Sequence, residues 1–235
     1  MALTITVLVF AFLLGSIPFG LIIAKSKGIN IREHGSGNIG ATNVLRVVGK
    51  KFGITCFFLD FFKGLIPVIL GINLIRFPDY TPIINLPFLE SYATVFNSQL
   101  QAQSLQILAA LLPILGHNYS PWVGFKGGKG IATSAGALVP LMPMAILILL
   151  IIWFVTFKIS RYVSLASMVA AGALPFLVIY GSWKHGKLQS GEWNKPLFIF
   201  ACFIGLMAIW KHRSNIKNLL NGTESRFTKK SKTAK

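Results

Sequence analysis

The chain has 235 residues, of which 54% are hydrophobic and only 12% charged, and its mean hydropathy is +0.66. Soluble domains usually carry about 25% charged residues, so this composition excludes an ordinary water-soluble domain. It predicts an all-α, polytopic integral membrane protein. The net charge of +17 makes nucleic acid the first partner to consider. The basic residues lie at the ends of apolar segments, however, as the positive-inside rule describes, so we expect no nucleic-acid binding.

Six apolar segments follow one another along the chain. The first has no basic start and is too long for the core of a signal peptide, so it is read as a membrane span. The fourth contains Pro140 and Pro143, which block or kink a helix. It forms either one long kinked span or two short spans that meet at the prolines. The segments cover residues 2–24, 53–75, 100–116, 131–157, 162–181 and 197–210.

The distribution of basic residues decides between these topologies. With seven spans, the N-terminus outside and the C-terminus cytoplasmic, 18 Lys and Arg residues lie on the cytoplasmic side and four on the other. The positive-inside rule favours this arrangement. Some spans are then short for a bilayer core of about 30 Å. We therefore predict a seven-helix transmembrane catalytic domain over residues 1–220 and a flexible, basic cytoplasmic tail over 221–235.

Few groups inside the spans are polar. Cys56 and Cys202 both lie in apolar segments, so neither a disulfide framework nor a zinc site is expected. Asp60 and Lys63 lie three residues apart in the second apolar segment and therefore share a helix face. Charges inside a membrane pair with each other or serve function. These two residues form either an internal ion pair or part of a catalytic site.

Three polar, glycine-rich stretches interrupt the apolar sequence, at 34–43, 116–130 and 212–215. Glycines allow close backbone approach to a ligand, and backbone amides with nearby lysines form a cavity for anions. The seven-span topology places all three stretches on the cytoplasmic side. Together they predict one site for phosphorylated ligands, with candidate residues Ser36, Asn38, Thr42, Asn43, Arg46, Lys126, Lys129, His212 and Asn215.

Two of these stretches resemble nucleotide-binding motifs, but the surrounding sequence does not fit such motifs. Residues 35–40 match G-x-G-x-x-G, but no strand of a βαβ unit precedes them. Residues 124–130 are similar to a Walker A loop, but the first glycine is one residue too close, and Gly130 replaces the Mg²⁺-binding Ser or Thr. The loop retains an affinity for anions, since its amides and lysines precede the N-terminus of a helix.

Missing motifs narrow the chemistry further. No His is followed by four residues and then Asp, and no G-x-S-x-G nucleophile elbow is present. Glu33 and Glu224 are the only carboxylates expected near the site, which disfavours a Mg²⁺ site and an acid–base pair. We expect neither a metal nor an organic cofactor.

In these stretches the chain closely resembles the bacterial acyl-phosphate:glycerol-3-phosphate acyltransferase family. The resemblance extends over nearly the whole sequence and includes residues 14–20, 35–46, 60–64, 116–117, 125–130, 161–164, 212–215 and 222–224. It implies a seven-span fold and transfer of a fatty acyl group from acyl phosphate to the 1-hydroxyl of glycerol 3-phosphate. The implied products are lysophosphatidic acid and phosphate, in the first acylation step of phospholipid biosynthesis, without acyl-CoA or acyl-carrier protein.

The resemblance also implies roles for single residues. Ser36 and Arg46 match essential positions of the first motif, and 126–130 match a phosphate-binding loop. His212 and Asn215 match an active-site pair, and Glu224 matches a position tied to structural integrity. Together with Asp60 and Lys63, Glu224 makes up the expected structural set. The expected catalytic set is Ser36, Arg46, Lys129, His212 and Asn215. The expected substrate-binding set is Gly37, Asn38, Gly40, Thr42, Asn43, His117, Lys126, Gly127, Gly128 and Gly130.

The chemistry of these residues suggests how two phosphates would be divided between them. Lys126, Lys129 and the amides of 127–130 would hold glycerol 3-phosphate, and the first stretch would hold acyl phosphate. His212 acts as the general base, or the donor phosphate takes the proton while His212 and Asn215 position the substrate.

An anion transporter is the alternative function. The expected location is the bacterial plasma membrane, with the active site on the cytoplasmic side, and an upstream enzyme that forms acyl phosphate is a candidate partner.

Overall fold

The computed structural model describes residues 1–227, which are mostly helical. The predicted tail therefore falls within the described chain only up to residue 227, and its remainder, 228–235, lies outside it. The helices are α1 (Ala2–Ser16), α2 (Phe19–Lys25), α3 (Ala41–Val47), α4 (Lys50–Leu74), α5 (Gln99–Asn118), α6 (Ile131–Leu138), α7 (Pro143–Ser160), α8 (Val163–Lys184), α9 (Lys195–Lys211) and α10 (Arg213–Leu220).

Short elements connect these helices. Strands β1 (Ile75–Arg76) and β2 (Thr94–Val95) pair in parallel and hold the long loop between α4 and α5. Three short 3₁₀ helices cover Ile31–Glu33, Pro87–Tyr92 and Pro121–Val123. The strands and α10 have no counterpart in the sequence prediction, because apolar periodicity does not mark elements that short.

Four helical segments are long and apolar enough to cross a membrane, namely Ala2–Lys25, Lys50–Leu74, Pro143–Ser160 and Val163–Lys184. A fifth is obtained when Lys195–Lys211 and Arg213–Leu220, bent by 53°, are taken as one span. A polytopic membrane protein is therefore confirmed. The seven-span count and the orientation of the termini stay predictions, since α6 has only eight residues and α5 begins with several glutamines.

Prolines set two of the helix breaks. The chain breaks between Leu138 and Pro143, as the two prolines predicted, and Pro143 starts α7 at a position that needs no backbone N–H. A second break, at Ile17 and Pro18, divides the first apolar segment into α1 and α2. The sequence analysis treated that segment as one continuous span.

Glycines bring the helices of the bundle close together. A Cβ atom at Gly15 of α1 would overlap the backbone of Pro113 in α5. A Cβ at Gly64 of α4 would overlap Thr133 of α6, and one at Gly136 would overlap Phe61. Small residues at such crossings are typical of helix packing in membranes. This packing brings the ends of α5 and α6 against the middle of α4, where the candidate site lies.

Candidate active site

A cavity of about 610 Å³ opens at one end of the bundle, and residues from all three glycine-rich stretches line it. The prediction that three distant parts of the chain meet in one pocket is therefore confirmed. Its volume lies in the range of small-molecule sites, ~300–1,000 Å³. The predicted residues that line it are Ser36, Asn38, Gly40, Thr42, Asn43, Arg46, Asp60, His117, Lys129, Gly130, His212, Asn215 and Glu224.

The first stretch is a tight loop held from inside by one side chain. Gly35 and Gly37 have φ angles of +61° and +67°, which favour glycine. The buried amide of Asn43 accepts from the backbone N–H of Ser36 at 3.0 Å and donates to the carbonyls of His34 and Asn38 at 3.0 and 2.9 Å. Asn43 therefore shapes the loop, and its amide has little capacity left for substrate. Gly37 lies in the turn and does not line the cavity.

Arg46 reaches the cavity from α3 and is held by the C-terminal strap, which we define as residues 222–227. Its guanidinium donates to the carbonyl of Ser225 at 3.1 Å and lies 5.0 Å from the ring centroid of Phe227. Burial lowers the pKa of Arg46 from its ordinary value, and the nearby Glu224 carboxylate opposes this. The guanidinium is charged at neutral pH, and its contacts with Ser225 and Phe227 fix its orientation.

The second stretch folds as a loop whose first amides are already bonded. The backbone N–H of Gly127 donates to the carbonyl of Asn118 at 3.2 Å, and that of Gly128 to the carbonyl of His117 at 3.1 Å. Neither glycine lines the cavity, so the predicted role of their amides in holding phosphate changes to a structural one. Within residues 1–227, the N–H groups of 129–133 form no hydrogen bond, and those of 130–133 lie at the start of α6.

The two lysines of this loop differ in position. Lys126 is exposed and does not line the cavity, while its backbone carbonyl accepts from Arg32 at 2.8 Å. Lys129 points into the cavity and donates to the side-chain oxygen of Asn215. Burial lowers the pKa of Lys129 to about 8, with Glu224 raising it and Arg46 lowering it. Of the two predicted phosphate ligands, only Lys129 faces the pocket.

Asn215 connects Lys129 to the strap. Its amide nitrogen donates to Glu224 Oε1 at 2.7 Å, and the same oxygen accepts from the Ser164 hydroxyl at 2.6 Å. These contacts form one continuous hydrogen-bond network across the loop before α6, α10, the strap and α8, through Lys129, Asn215, Glu224 and Ser164. The structural role expected for Glu224 stays a prediction.

His212 lies at the bend between α9 and α10 and is buried. Its Nδ1 lies 2.7 Å from the carbonyl of Ala208, so Nδ1 carries the proton and Nε2 is left as an acceptor. Burial, together with the charge of Lys129, lowers the pKa of His212 to about 4. The imidazole is therefore neutral at physiological pH.

Asp60, Lys63 and His117 form a buried polar group at the inner end of the cavity. Lys63 Nζ lies 2.8 Å from Asp60 Oδ1, and His117 Nδ1 lies 3.6 Å from the same oxygen. The predicted internal ion pair is present. Asp60 and His117 line the cavity, whereas Lys63 does not.

The sequence analysis assigned no role to several residues around the cavity. Ser164 and Ser167 of α8 contribute hydroxyls, and Phe227 closes one side. The strap is held by the backbone N–H of Phe227, which donates to the carbonyl of Arg161 at 3.0 Å, and by Arg226, which donates to the Tyr162 hydroxyl at 2.8 Å. No residue pattern predicts that the strap folds back. The apolar walls are formed by Ile54, Phe57, Phe58, Leu150, Trp153 and Phe157.

Comparison with known proteins assigns the chain to a family. Residues 5–222 match the sequence profile of glycerol-3-phosphate acyltransferases. The chain belongs to this family. The glycerol-3-phosphate acyltransferase of Aquifex aeolicus is 39% identical over 220 residues, covering 93% of this chain and 96% of that protein. The one from Geotalea daltonii is 40% identical over 223 residues, covering 95% and 97%.

Solved structures support the same assignment. The crystal structure of PlsY, an integral membrane glycerol 3-phosphate acyltransferase, in its glycerol 3-phosphate form matches with a TM-score of 0.77 at 36% identity, covering 96% of each chain. The lysophosphatidic acid form matches with a TM-score of 0.73 at 37% identity, covering 96% and 95%. The chain is thus a membrane glycerol-3-phosphate acyltransferase, and the cavity is its candidate active site.

Proposed function

We propose that this acyltransferase takes its acyl group from acyl phosphate and transfers it to the 1-hydroxyl of glycerol 3-phosphate, forming lysophosphatidic acid and inorganic phosphate. The observation that carries the proposal is the make-up of the cavity. Lys129 and Arg46 supply two cations, yet among residues 1–227 no cysteine lines the pocket and no lining serine hydroxyl bonds to a histidine. Acyl phosphate is a mixed anhydride with a good leaving group, so a covalent nucleophile is not required.

In this proposal each of the two cations binds the phosphate of one substrate. Lys129, with the amides at the start of α6, is placed to bind the phosphate of glycerol 3-phosphate. Arg46, with Ser36, Asn38 and Thr42, is placed to bind the phosphate and carbonyl of the donor. Holding the hydroxyl of one substrate against the carbonyl of the other can lower the activation free energy by roughly 7–11 kcal/mol.

The transfer step needs only groups that are present in the substrates. The 1-hydroxyl oxygen attacks the acyl carbon, a new C–O bond forms, and the bond to the phosphate oxygen breaks with its electron pair on phosphate. Cationic and amide donors stabilise the negative charge that develops on the acyl oxygen and on the phosphate. The hydroxyl proton leaves with the phosphate, and the products are an ester and hydrogen phosphate.

His212 positions the hydroxyl in this scheme. With a pKa of about 4, its conjugate acid is too strong to hold the proton at neutral pH. Its Nε2 is nevertheless an acceptor, since Nδ1 is bound to Ala208. Between the two roles considered for His212, its burial therefore favours a hydrogen-bond acceptor over a general base.

The acyl tail lies along the apolar walls between α4 and α7 in this proposal. Ile54, Phe57 and Phe58 come from α4, and Leu150, Trp153 and Phe157 come from α7. Each buried methylene contributes about 0.8 kcal/mol. Several of these side chains are also exposed on the outer, apolar surface, so a long tail can continue into the bilayer. The head groups would face the cytoplasm of a bacterial plasma membrane, where an upstream enzyme would supply the donor.

A donor comparison tests the proposal. Purified protein in detergent is incubated with labelled glycerol 3-phosphate and either palmitoyl phosphate, palmitoyl-CoA or palmitoyl-acyl carrier protein. We expect lysophosphatidic acid from palmitoyl phosphate alone, with one phosphate released per ester formed. Product from either thioester and none from acyl phosphate would contradict the proposal. A transporter would give no product under any of these conditions.

The pKa of Lys129 predicts how substrate affinity changes with pH. Only the protonated lysine binds the phosphate dianion, and a group with a pKa of about 8 loses most of its charge between pH 7 and 9. The KM for glycerol 3-phosphate should therefore rise about tenfold over this range. In Lys129→Arg the guanidinium keeps its proton, so the KM should stay constant even if it is higher throughout. A rise of equal size in both proteins would show that another group causes it.

A further inference from the structure

The polar group around Asp60 lies next to the phosphate-binding loop, yet the transfer step does not use it. Asp60 and Lys63 each expose about 2% of their surface, and His117 about 5%. Burying two charges costs several kcal/mol per ion, and such a pair adds little net stability compared with apolar residues. Stability alone is therefore a poor reason for an ion pair in the middle of α4.

The contacts of this group form a chain through three parts of the fold. Lys63 Nζ donates to the carbonyl of Ile17 at 2.8 Å, at the break between α1 and α2, and pairs with Asp60 at 2.8 Å. Asp60 in turn faces Nδ1 of His117 on α5 at 3.6 Å. Asp60 Oδ1 and His117 Nδ1 are buried and form no hydrogen bond of good geometry within residues 1–227. The carboxylate thus acts on the histidine through its charge, across 3.6 Å.

His117 transmits this arrangement to the glycine loop in two ways. Its carbonyl accepts the N–H of Gly128 at 3.1 Å. Its ring lies where a side chain at Gly128 would begin, because a Cβ atom there would overlap Nε2. Gly128 therefore rests on the imidazole, and the next residue is Lys129, which faces the cavity.

We propose that Asp60 is a positioning residue for the glycerol 3-phosphate end of the site. It fixes the ring of His117 under Gly128 and so sets the direction of Lys129 and of the amides that follow. Arg46 lies outside this chain of contacts, since its guanidinium is held by Ser225 and Phe227 of the strap. The inference rests on the proposed function and assigns Asp60 an effect on one of its two substrates only.

The test is the ratio of two Michaelis constants in Asp60→Asn. Asparagine keeps the shape of the side chain and removes the charge that attracts Lys63 and His117. We expect the KM for glycerol 3-phosphate to rise at least tenfold while the KM for acyl phosphate changes less than twofold. An equal change in both constants, or none in either, would overturn the proposal. A wild-type protein inactive with acyl phosphate would instead refute the proposed function itself.

A double-mutant cycle separates positioning from a general loss of structure. Gly128→Ala places a methyl group against the His117 ring and should raise the same KM by a similar factor. If both changes act through the ring, the double variant D60N/G128A should be no worse than the poorer single variant. Multiplied effects would show that the two residues act independently and would refute the proposal. If D60N is not monodisperse in detergent, H117Q replaces it in the same cycle with the same criteria.

Discussion

Replacing Lys129 by methionine is expected to lower kcat/KM for glycerol 3-phosphate by about 10³-fold, because the variant loses the buried cation that binds the phosphate of this substrate. Lys129 is the lysine that lines the cavity, and its side chain is already held by Asn215. Methionine preserves most of the length and apolar surface of the side chain. The measurement is steady-state kinetics at pH 7 with each substrate varied in turn, and the larger change should be in KM for glycerol 3-phosphate.

Lys126 provides the matched control. It lies three residues earlier in the same loop and is exposed, outside the cavity. Lys126→Met removes the same charge from the protein and should keep kcat/KM within about threefold of wild type, since an exposed charge is screened by solvent and salt. Equal losses in both variants would mean that overall charge, and not the direction of Lys129, controls binding.

Replacing His212 should separate its two roles. His212→Ala removes the acceptor that orients the hydroxyl and should lower kcat by about 10²-fold, through lost alignment. His212→Gln can still accept a hydrogen bond, so we expect it to retain at least ten times the kcat of the alanine variant. Because the imidazole is neutral well above its pKa of about 4, the ratio of variant to wild-type kcat should be constant between pH 6 and 8.

The pH dependence of that ratio decides the chemistry. If His212 were the general base, an alanine variant would depend on solvent base and would recover relative to wild type as the pH rises. A ratio that increases with pH would therefore contradict the positioning role. His185→Ala is the control, since that histidine is exposed and lies outside the cavity.

The sequence was sufficient to predict the membrane class and the position of the cavity. Long apolar segments gave the main helices to within a few residues, and the break before Pro143 was visible because proline cannot continue a helix. Clusters of glycine, amide and basic residues between such segments have no role in an apolar bundle. The predicted topology placed these clusters on the same side of the membrane, and from this we predicted that they line one pocket.

The sequence could not show which polar side chains face inward. Lys126 and Lys129 belong to the same loop, yet of the two only Lys129 lines the cavity. Asn43 also lines the cavity, but its amide already holds its own loop. In each case the direction depends on backbone torsions in a loop, such as the positive φ of Gly130, which periodicity does not encode.

Contacts between residues far apart in the chain could not be predicted from the sequence either. The fold of the strap depends on Glu224 meeting Ser164 and on Arg226 meeting Tyr162, about 60 residues apart in each pair. The link from Asp60 to Gly128 runs through His117 of another helix. The i, i+3 spacing of Asp60 and Lys63 predicted their ion pair, but not its position below the phosphate-binding loop.

Cysteine protection tests most directly the claim that one cavity, open to one side of the membrane, holds both substrates. Single cysteines at Ala41, Ala132 and Phe227, which line the cavity from α3, α6 and the strap, are introduced after Cys56 and Cys202 are replaced by alanine. We predict that an impermeant maleimide labels all three only from the cytoplasmic face. Glycerol 3-phosphate together with a non-hydrolysable acyl phosphonate should slow each reaction. Labelling of the three positions from opposite faces, or no protection at any of them, would contradict the account.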